Sequence, residues 1–216
     1  MIVLYATGVS LYSAKVAIAL EHKGVAYERR LPPGGTYRSA EYRAIVPAGT
    51  LPAIDDGGFV LSESDAIIEY VEETRGGAPL LPADPRPRAR ARYASRVHDL
   101  RVEPRVRALF PFVGAPPGPA ADAALGALRD AIAALPALIA PSPFAAGETF
   151  SLGDCGWAPT FFLADRLAVA LGAPAIRYDA AIRRWREALD AVPAVRAVMG
   201  AYAGAVEAWI RSKAGG

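Results

Sequence analysis

Two short stretches carry most of the chemistry available to this sequence. The first is Val46-Pro47-Ala48-Gly49-Thr50-Leu51-Pro52-Ala53-Ile54, and the second is Leu61-Ser62-Glu63-Ser64-Asp65-Ala66-Ile67-Ile68-Glu69-Tyr70. Proline has no backbone donor, so Pro52 at the entrance to a strand is expected only where its missing N–H is harmless. A cis Leu51–Pro52 bond would leave the preceding backbone groups free to pair with the backbone of a ligand. Glu63 then offers a carboxylate to an ammonium group, while Ser64 offers a hydroxyl and helix N-terminal N–H groups to a carboxylate. Taken singly, Pro52 reads as a turn proline and Ser64 as an N-cap. Together, on one loop edge, they suit a small peptide-like ligand.

The elements that must hold these residues are legible from local pattern. Ile2 to Ala6 is a short β-prone run, and Ser13 is placed to cap a helix carrying Val16, Ile18, Ala19 and Leu20, which Gly24 ends. Tyr27 to Leu31 reads as a second strand. Ala53-Ile54-Asp55 and Phe59-Val60-Leu61 flank Asp56-Gly57-Gly58, a strong hairpin signal. A helix is expected from Ser64 to Thr74, stopped by Gly76-Gly77. The order is β-α-β-(short helix)-β-β-α over residues 1–77.

Residues 78–85 form a Pro/Gly-rich linker, and from 86 to 216 no convincing strand is present. Apolar residues there recur at helical spacing: Tyr93, Val97 and Leu100; Leu125, Leu128, Ile132 and Leu135; Trp157, Phe161, Ala164 and Ala168; Ile182, Trp185 and Leu189. The fold class is therefore α/β followed by an all-α bundle. Pro104 and Pro111 should kink or end the first long helix of that bundle.

With 216 residues, 53% of them hydrophobic, the chain buries a sizeable core, and a formal charge of +2 gives no field that argues for nucleic acid or an acidic membrane. One cysteine, Cys155, excludes an intrachain disulfide and a CxxC pair and favours a reducing compartment. The first twenty residues are interrupted by Gly8, Ser10, Ser13 and Lys15, so a signal peptide or membrane span is not expected, and the protein reads as cytoplasmic. No Gly-rich phosphate loop and no HExxH occurs, and His22 and His98 make no metal site by themselves; no metal is expected.

The two stretches resemble the glutathione-binding half of the cytosolic glutathione transferases, through Pro47, Leu51, Pro52, Glu63, Ser64, Ala66, Ile67 and Tyr70. Gly147-Glu148-Thr149-Phe150-Ser151-Leu152-Gly153-Asp154 is similar to that family's helix-capping segment, and Ser151 and Asp154 suit a capping geometry in their own right. The resemblance implies an N-terminal thioredoxin-like domain, a C-terminal helical bundle and glutathione as co-substrate. It also implies a hydrophobic electrophilic small molecule as second substrate, a role in detoxification and a homodimer. Val46 stands where that family usually has Asn, and Gly49-Thr50 replace a polar or basic pair, so the glycine end of glutathione is expected to be held differently.

Glutathione chemistry needs a thiolate, and a free thiol with a pKa of about 8.5 is only slightly ionised at neutral pH. Lowering that pKa by about two units takes on the order of 2.7 kcal/mol, within reach of one hydroxyl donor and a helix N-terminus. By resemblance to serine-type members, zeta- or beta-like, Ser10 occupies the activating position. Its bland reading is a turn residue. Leu51, Pro52, Glu63 and Ser64 hold glutathione; Tyr12 and His98 are candidates for the electrophile pocket. Tyr5 reads as a packed strand aromatic and Cys155 as a small buried hydrophobe. The arginines from Arg86 to Arg107, with Asp99 and Glu103 among them as partners, read as a solvated or salt-bridged face, Arg88, Arg92 and Arg96 sharing one stripe. Two alternatives remain at this level: a glutathione-dependent isomerase or dehalogenase, and a non-catalytic interaction module of the same fold.

Overall fold

The structure, a computed structural model, describes residues 1–214. Four short strands, β1 (Ile2–Tyr5), β2 (Tyr27–Arg30), β3 (Ala53–Asp56) and β4 (Phe59–Ser62), form one sheet in the order β2-β1-β3-β4. β1 and β2 are parallel and joined by helix α1 (Leu11–Lys23), whereas β3 and β4 are antiparallel and joined by a tight turn. A parallel pair needs such a crossover; an antiparallel pair needs only two residues. Gly57 and Gly58 fill that turn with φ of 66° and 96°, and Asp55 Oδ1 accepts the Gly58 N–H at 2.7 Å.

Ile2, Leu4 and Ile54 from the sheet, Val16, Ile18 and Leu20 from α1, and Ile67, Ile68 and Val71 from α3 (Ser64–Thr74) are buried in one apolar cluster. The opposite face of the sheet packs Tyr5 and Ala53 against Tyr42 of α2 (Ala40–Ile45), with the two tyrosine rings 5.7 Å apart edge to face. Tyr5 is thus a packed strand aromatic.

Beyond Gly77 the described chain is helical: α4 (Pro85–Val97), α5 (Glu103–Arg107), α6 (Pro119–Ala133), α7 (Leu135–Leu138), α8 (Trp157–Ala170), α9 (Ala180–Ala191) and α10 (Pro193–Ala214). The stretch leading into α4 is tied down by Glu72, whose carboxylate accepts from Lys23 Nζ at 2.6 Å and from the Leu80 and Leu81 N–H groups at 3.1 and 3.2 Å. Leu128, Ile132, Leu135, Trp157, Phe161, Trp185 and Leu189 are buried as their spacing predicts. Tyr93 and Leu100 are not: they are 47% and 61% exposed, and α4 instead buries Ala91, Ala94, Ser95 and Val97. Small residues face inward because the segment Leu152–Asp154 packs close against α4.

The two prolines interrupt this region in different ways. Pro104 lies in the first turn of α5, after a wide i→i−5 turn over His98–Val102 in which the Glu103 N–H reaches the His98 carbonyl. Widening the helix before Pro104 relieves the ring's clash with the preceding turn and rotates α5 relative to α4. Pro111 sits in a short 3₁₀ turn, Phe110–Phe112.

Asp154 organises the second domain from inside. Its carboxylate accepts from the Ala145 N–H (2.8 Å), the Ser151 N–H (3.0 Å), Ser151 Oγ (2.8 Å) and Trp185 Nε1 (2.8 Å). Burial pushes this carboxyl up to about 6, against the pull of those four donors. Asp154→Ala strands all four in the interior, so we expect a loss of roughly 3 kcal/mol or more in urea unfolding. An unchanged midpoint would remove Asp154 from its place in the core.

Candidate active site

A cleft of about 700 Å³ opens between the sheet domain and the helical domain. From the first domain it is lined by Ser10, Tyr12, Leu51, Pro52, Glu63 and Ser64. From the second come Arg96, Asp99, Glu103, Arg107, Phe110 and Trp209. All but one of the residues singled out in the sequence therefore meet in a single cleft.

Ser10, not Ser13, caps α1: its Oγ accepts the Ser13 N–H at 3.2 Å, and its backbone is extended. Ser13 is buried one turn in, with no protein partner for its hydroxyl. The Ser–x–x–Ser spacing made either residue a plausible cap; the sheet edge sets the helix start at Leu11. No acidic residue occupies the first turn of α1, so its positive end is not cancelled locally.

The Leu51–Pro52 bond is cis, and Leu51 lines the cleft ahead of β3. At the next corner Glu63, not Ser64, holds the cap position of α3, with φ of 73°, ψ of 116° and no side-chain cap bond. A positive φ at a residue with a side chain stores on the order of 1 kcal/mol of strain. Ser64 opens the helix, and the first intrahelical bond is Ile67 N–H to the Glu63 carbonyl at 2.9 Å. The N–H groups ahead of it are left for an anion.

Tyr12 faces the cleft, but its hydroxyl is committed: it donates to Glu103 Oε2 at 3.1 Å. Burial, then the charges of Glu103 and Asp99, push the Tyr12 phenol far above its ordinary range, so it stays protonated. Glu103 is itself buried and ion-paired with Arg107, whose guanidinium lies 5.9 Å from the Tyr12 ring. Phe110 and Trp209, 4.9 Å apart, make an aromatic corner at this end.

His98 does not reach the cleft. It is 1% exposed and lies 5.2 Å from the Trp157 ring, with Nδ1 donating to Asp99 Oδ1 at 2.7 Å and Nε2 bonded to Thr160 Oγ1 at 2.7 Å. The wide turn that begins at His98 aims its ring into the helical core and Asp99 at the cleft. The expectation that His98 faces the cleft is thus corrected: its neighbour Asp99 does.

Of the two acids expected to pair within the arginine run, Glu103 does so and Asp99 does not. Glu103 pairs with an arginine of the run, but Asp99 pairs with Lys15 of α1, at 2.9 and 3.0 Å. Lys15 is 1% exposed and binds Asp65 of α3 at 2.8 Å as well, while Asp65 accepts from Ser95 of α4 at 2.7 Å. Burial opposes ionisation of Asp99, but the His98 bond and the Lys15 charge outweigh it and hold its carboxyl below the usual range. The sequence carried one sign of this hub: Lys15 is a lone cation in the apolar run Val16 to Leu20. Nothing local marked Phe110 or Trp209.

Gly49 borders the opposite end of the cleft. A side chain there would begin 3.0 Å from Arg43 Nε, so the glycine lets the Arg43 side chain pass across the backbone. Cys155 is fully buried, and burial raises its thiol well above its ordinary range, as befits an inert hydrophobe. Among the described residues no cluster suits a metal ion, and no single helix is long and apolar enough to cross a membrane.

The chain is thus a thioredoxin-like sheet domain followed, across a cleft, by an all-helical domain. The family models for the glutathione S-transferase N-terminal and C-terminal domains match residues 4–79 and 118–201. The chain is 34% identical to the Stringent starvation protein A homolog of Pasteurella multocida, over 77% of this chain and 76% of that protein. It is 33% identical to the Maleylacetoacetate isomerase of Pseudomonas aeruginosa, over 81% and 87% respectively. A solved Maleylacetoacetate isomerase from Methylobacterium extorquens AM1, with bound malonate and GSH, superposes with a TM-score of 0.71 at 29% identity, covering 91% of this chain and 95% of that one. The chain belongs to the glutathione transferase family, and the expected fold and glutathione-dependent transferase activity stand with that assignment.

Among the described residues, Lys15 is the only cation between Asp65 and Asp99 in this hub. Lys15→Met leaves two carboxylates facing each other in a mostly buried site, and we expect it to cost about 3 kcal/mol or more in chemical denaturation, with weaker glutathione binding. A variant as stable as the parent would show that the hub carries no such weight.

Proposed function

We propose that the protein binds glutathione along the cleft and uses Ser10 to hold its sulfur as a thiolate for attack on an electrophilic carbon. One observation carries this reading. The Ser10 oxygen accepts the Ser13 N–H, which leaves the hydroxyl proton, beside the N-terminus of α1, for a sulfur in the cleft. Tyr12, the rival hydroxyl, spends its hydrogen bond on Glu103 instead.

In this reading the backbone of Leu51 pairs with the cysteinyl backbone, Glu63 takes the γ-glutamyl ammonium, and Ser64 with the open N-terminus of α3 takes the adjoining carboxylate. Arg43, reaching across Gly49, supplies charge for the glycine carboxylate that Gly49-Thr50 do not. The thiolate points toward Tyr12, Phe110 and Trp209, where an apolar acceptor would lie. Against a halide, carbon–sulfur bond formation expels the halide ion. Against an activated double bond, addition gives a carbanion that either takes up a proton to form a conjugate or, after rotation, re-forms the double bond in the other geometry as the carbon–sulfur bond breaks and the glutathione thiolate is released. The isomerase names of two relatives favour the double bond. Product analysis with maleyl-type and halogenated acceptors separates these outcomes.

The protein acts as a cytoplasmic homodimer in this proposal. Support comes from Tyr93, an apolar residue left exposed on α4 outside the cleft. Light scattering is expected to return about twice the chain mass of 22.7 kDa; a monomer at micromolar concentration would end this part of the proposal.

A second reading is an interaction module without catalysis, favoured by the relative named for stringent starvation rather than for an enzyme. An ultraviolet titration of bound glutathione decides between them. We expect a thiol pKa about two units below its free value of about 8.5, reverting toward it in Ser10→Ala, so that the parent's thiolate absorbance is lost only below about pH 6.5. The variant also loses its cap, at about 1 kcal/mol, and should remain folded. An unshifted pKa in the parent protein would leave Ser10 as a cap alone, and no binding would favour the interaction module.

A further inference from the structure

Most charged groups around the cleft are already neutralised from within. Asp99 is held by Lys15, and Glu103 by Arg107. Two are not: among the described residues neither Glu63 nor Arg96 has an ion-pair partner, although both line this cleft. Nor do they pair with each other. Two opposite charges in one cleft that stay apart leave room for a ligand group carrying both signs.

The helices place Arg96 beside the corner at Glu63 and Ser64. α3 and α4 run antiparallel, with Arg92 binding Glu69 at 3.0 and 2.9 Å and Ser95 binding Asp65. Arg96, one turn beyond Arg92 on the same stripe, therefore lies next to the first residues of α3. Arg88 and Arg92 spend their guanidinium groups on protein acceptors, Arg88 on the Pro82 and Ala83 carbonyls. Arg96 is the member of the stripe whose guanidinium is left to the cleft.

We propose that Arg96 binds the α-carboxylate of the γ-glutamyl group, opposite Glu63 on its ammonium, so that the pair reads the zwitterionic amino-acid head of the thiol co-substrate. This rests on the proposed glutathione function and narrows it. The cleft selects a γ-glutamyl thiol with a free α-carboxylate over thiols that lack that group. A guanidinium suits this task because its fork matches a carboxylate with two parallel N–H···O bonds. Ser64 and the open end of α3 complete the carboxylate's surroundings.

The test is a ligand–protein cycle by calorimetry, using glutathione and its decarboxy analogue, 4-aminobutyryl-cysteinyl-glycine, against the parent protein, Arg96→Ala and Arg96→Lys. Arg92→Ala is the control on the same stripe. We expect Arg96→Ala to weaken glutathione roughly tenfold (about 1.4 kcal/mol) while leaving the analogue's affinity unchanged. Arg96→Lys should fall between, and Arg92→Ala should match the parent. Equal loss for both ligands in Arg96→Ala, or no loss for glutathione, overturns the role of Arg96 while the glutathione function stands. A parent protein that binds neither ligand overturns both.

Discussion

The cation of Lys15, shut away from water on the first helix, is the constraint around which the cleft is built. A buried ammonium is tolerated only when carboxylates meet it, and here they come from two different places in the chain: Asp65 at the start of α3 and Asp99 in the wide turn that follows α4. Satisfying one charge therefore fixes three elements at once. α1 carries Ser10, α3 carries Glu63 and Ser64, and the α4 end carries the cleft's second wall. Two further contacts, Ser95 to Asp65 and His98 to Asp99, keep the two carboxylates from swinging away. Ser10 and the Glu63–Ser64 corner are held in register by a group that lines no part of the cleft.

Around that hub the cleft separates committed from available groups. Tyr12, Glu103 and Arg107 satisfy one another and form a wall whose polarity is spent internally. Such a wall can face an apolar acceptor without demanding hydrogen bonds from it. Ser10, Glu63, Ser64 and Arg96 are among the lining groups left open to the cleft. The strained backbone at Glu63 belongs to the same division, since it turns the chain sharply between β4 and α3 and leaves the helix end uncapped.

Local features were legible in the sequence, and features set by rotation or by distant partners were not. The hairpin at Gly57-Gly58, the α1 stop at Gly24 and the apolar stripes of the later helices rest on short-range pattern, and the structure has them. Ser13 and Ser64 each carry the local signature of a cap, yet the caps fall on Ser10 and Glu63, because helix starts are set by where the strands end. His98 and Asp99 differ by one residue, about 100° around a helix, and only the wide turn before Pro104 decides which of them faces the cleft. Tyr93 and Leu100 mislead because hydrophobicity ranks them above Ala91, Ala94 and Ser95, the small residues that close packing prefers. The hub is hidden because Lys15 finds its partners fifty and more residues away.

The cleft joins parts of the chain that are made at very different times. Gly8, just ahead of Ser10, lies so close to α10 that an added side chain would begin 2.6 Å from Ala205 Cβ, and Trp209 of that helix closes the acceptor corner. The apolar cluster of the sheet domain runs on into the helical domain, through Val97, Trp157, Tyr202 and Val206, so its core is complete only once the later helices are in place. Its reactive edge must wait, with apolar residues uncovered, until the last described helix arrives to seal it. Contacts of such long sequence separation form late and slowly. On a nascent chain the sheet's own strands are therefore available before the helix that completes the cleft's far wall.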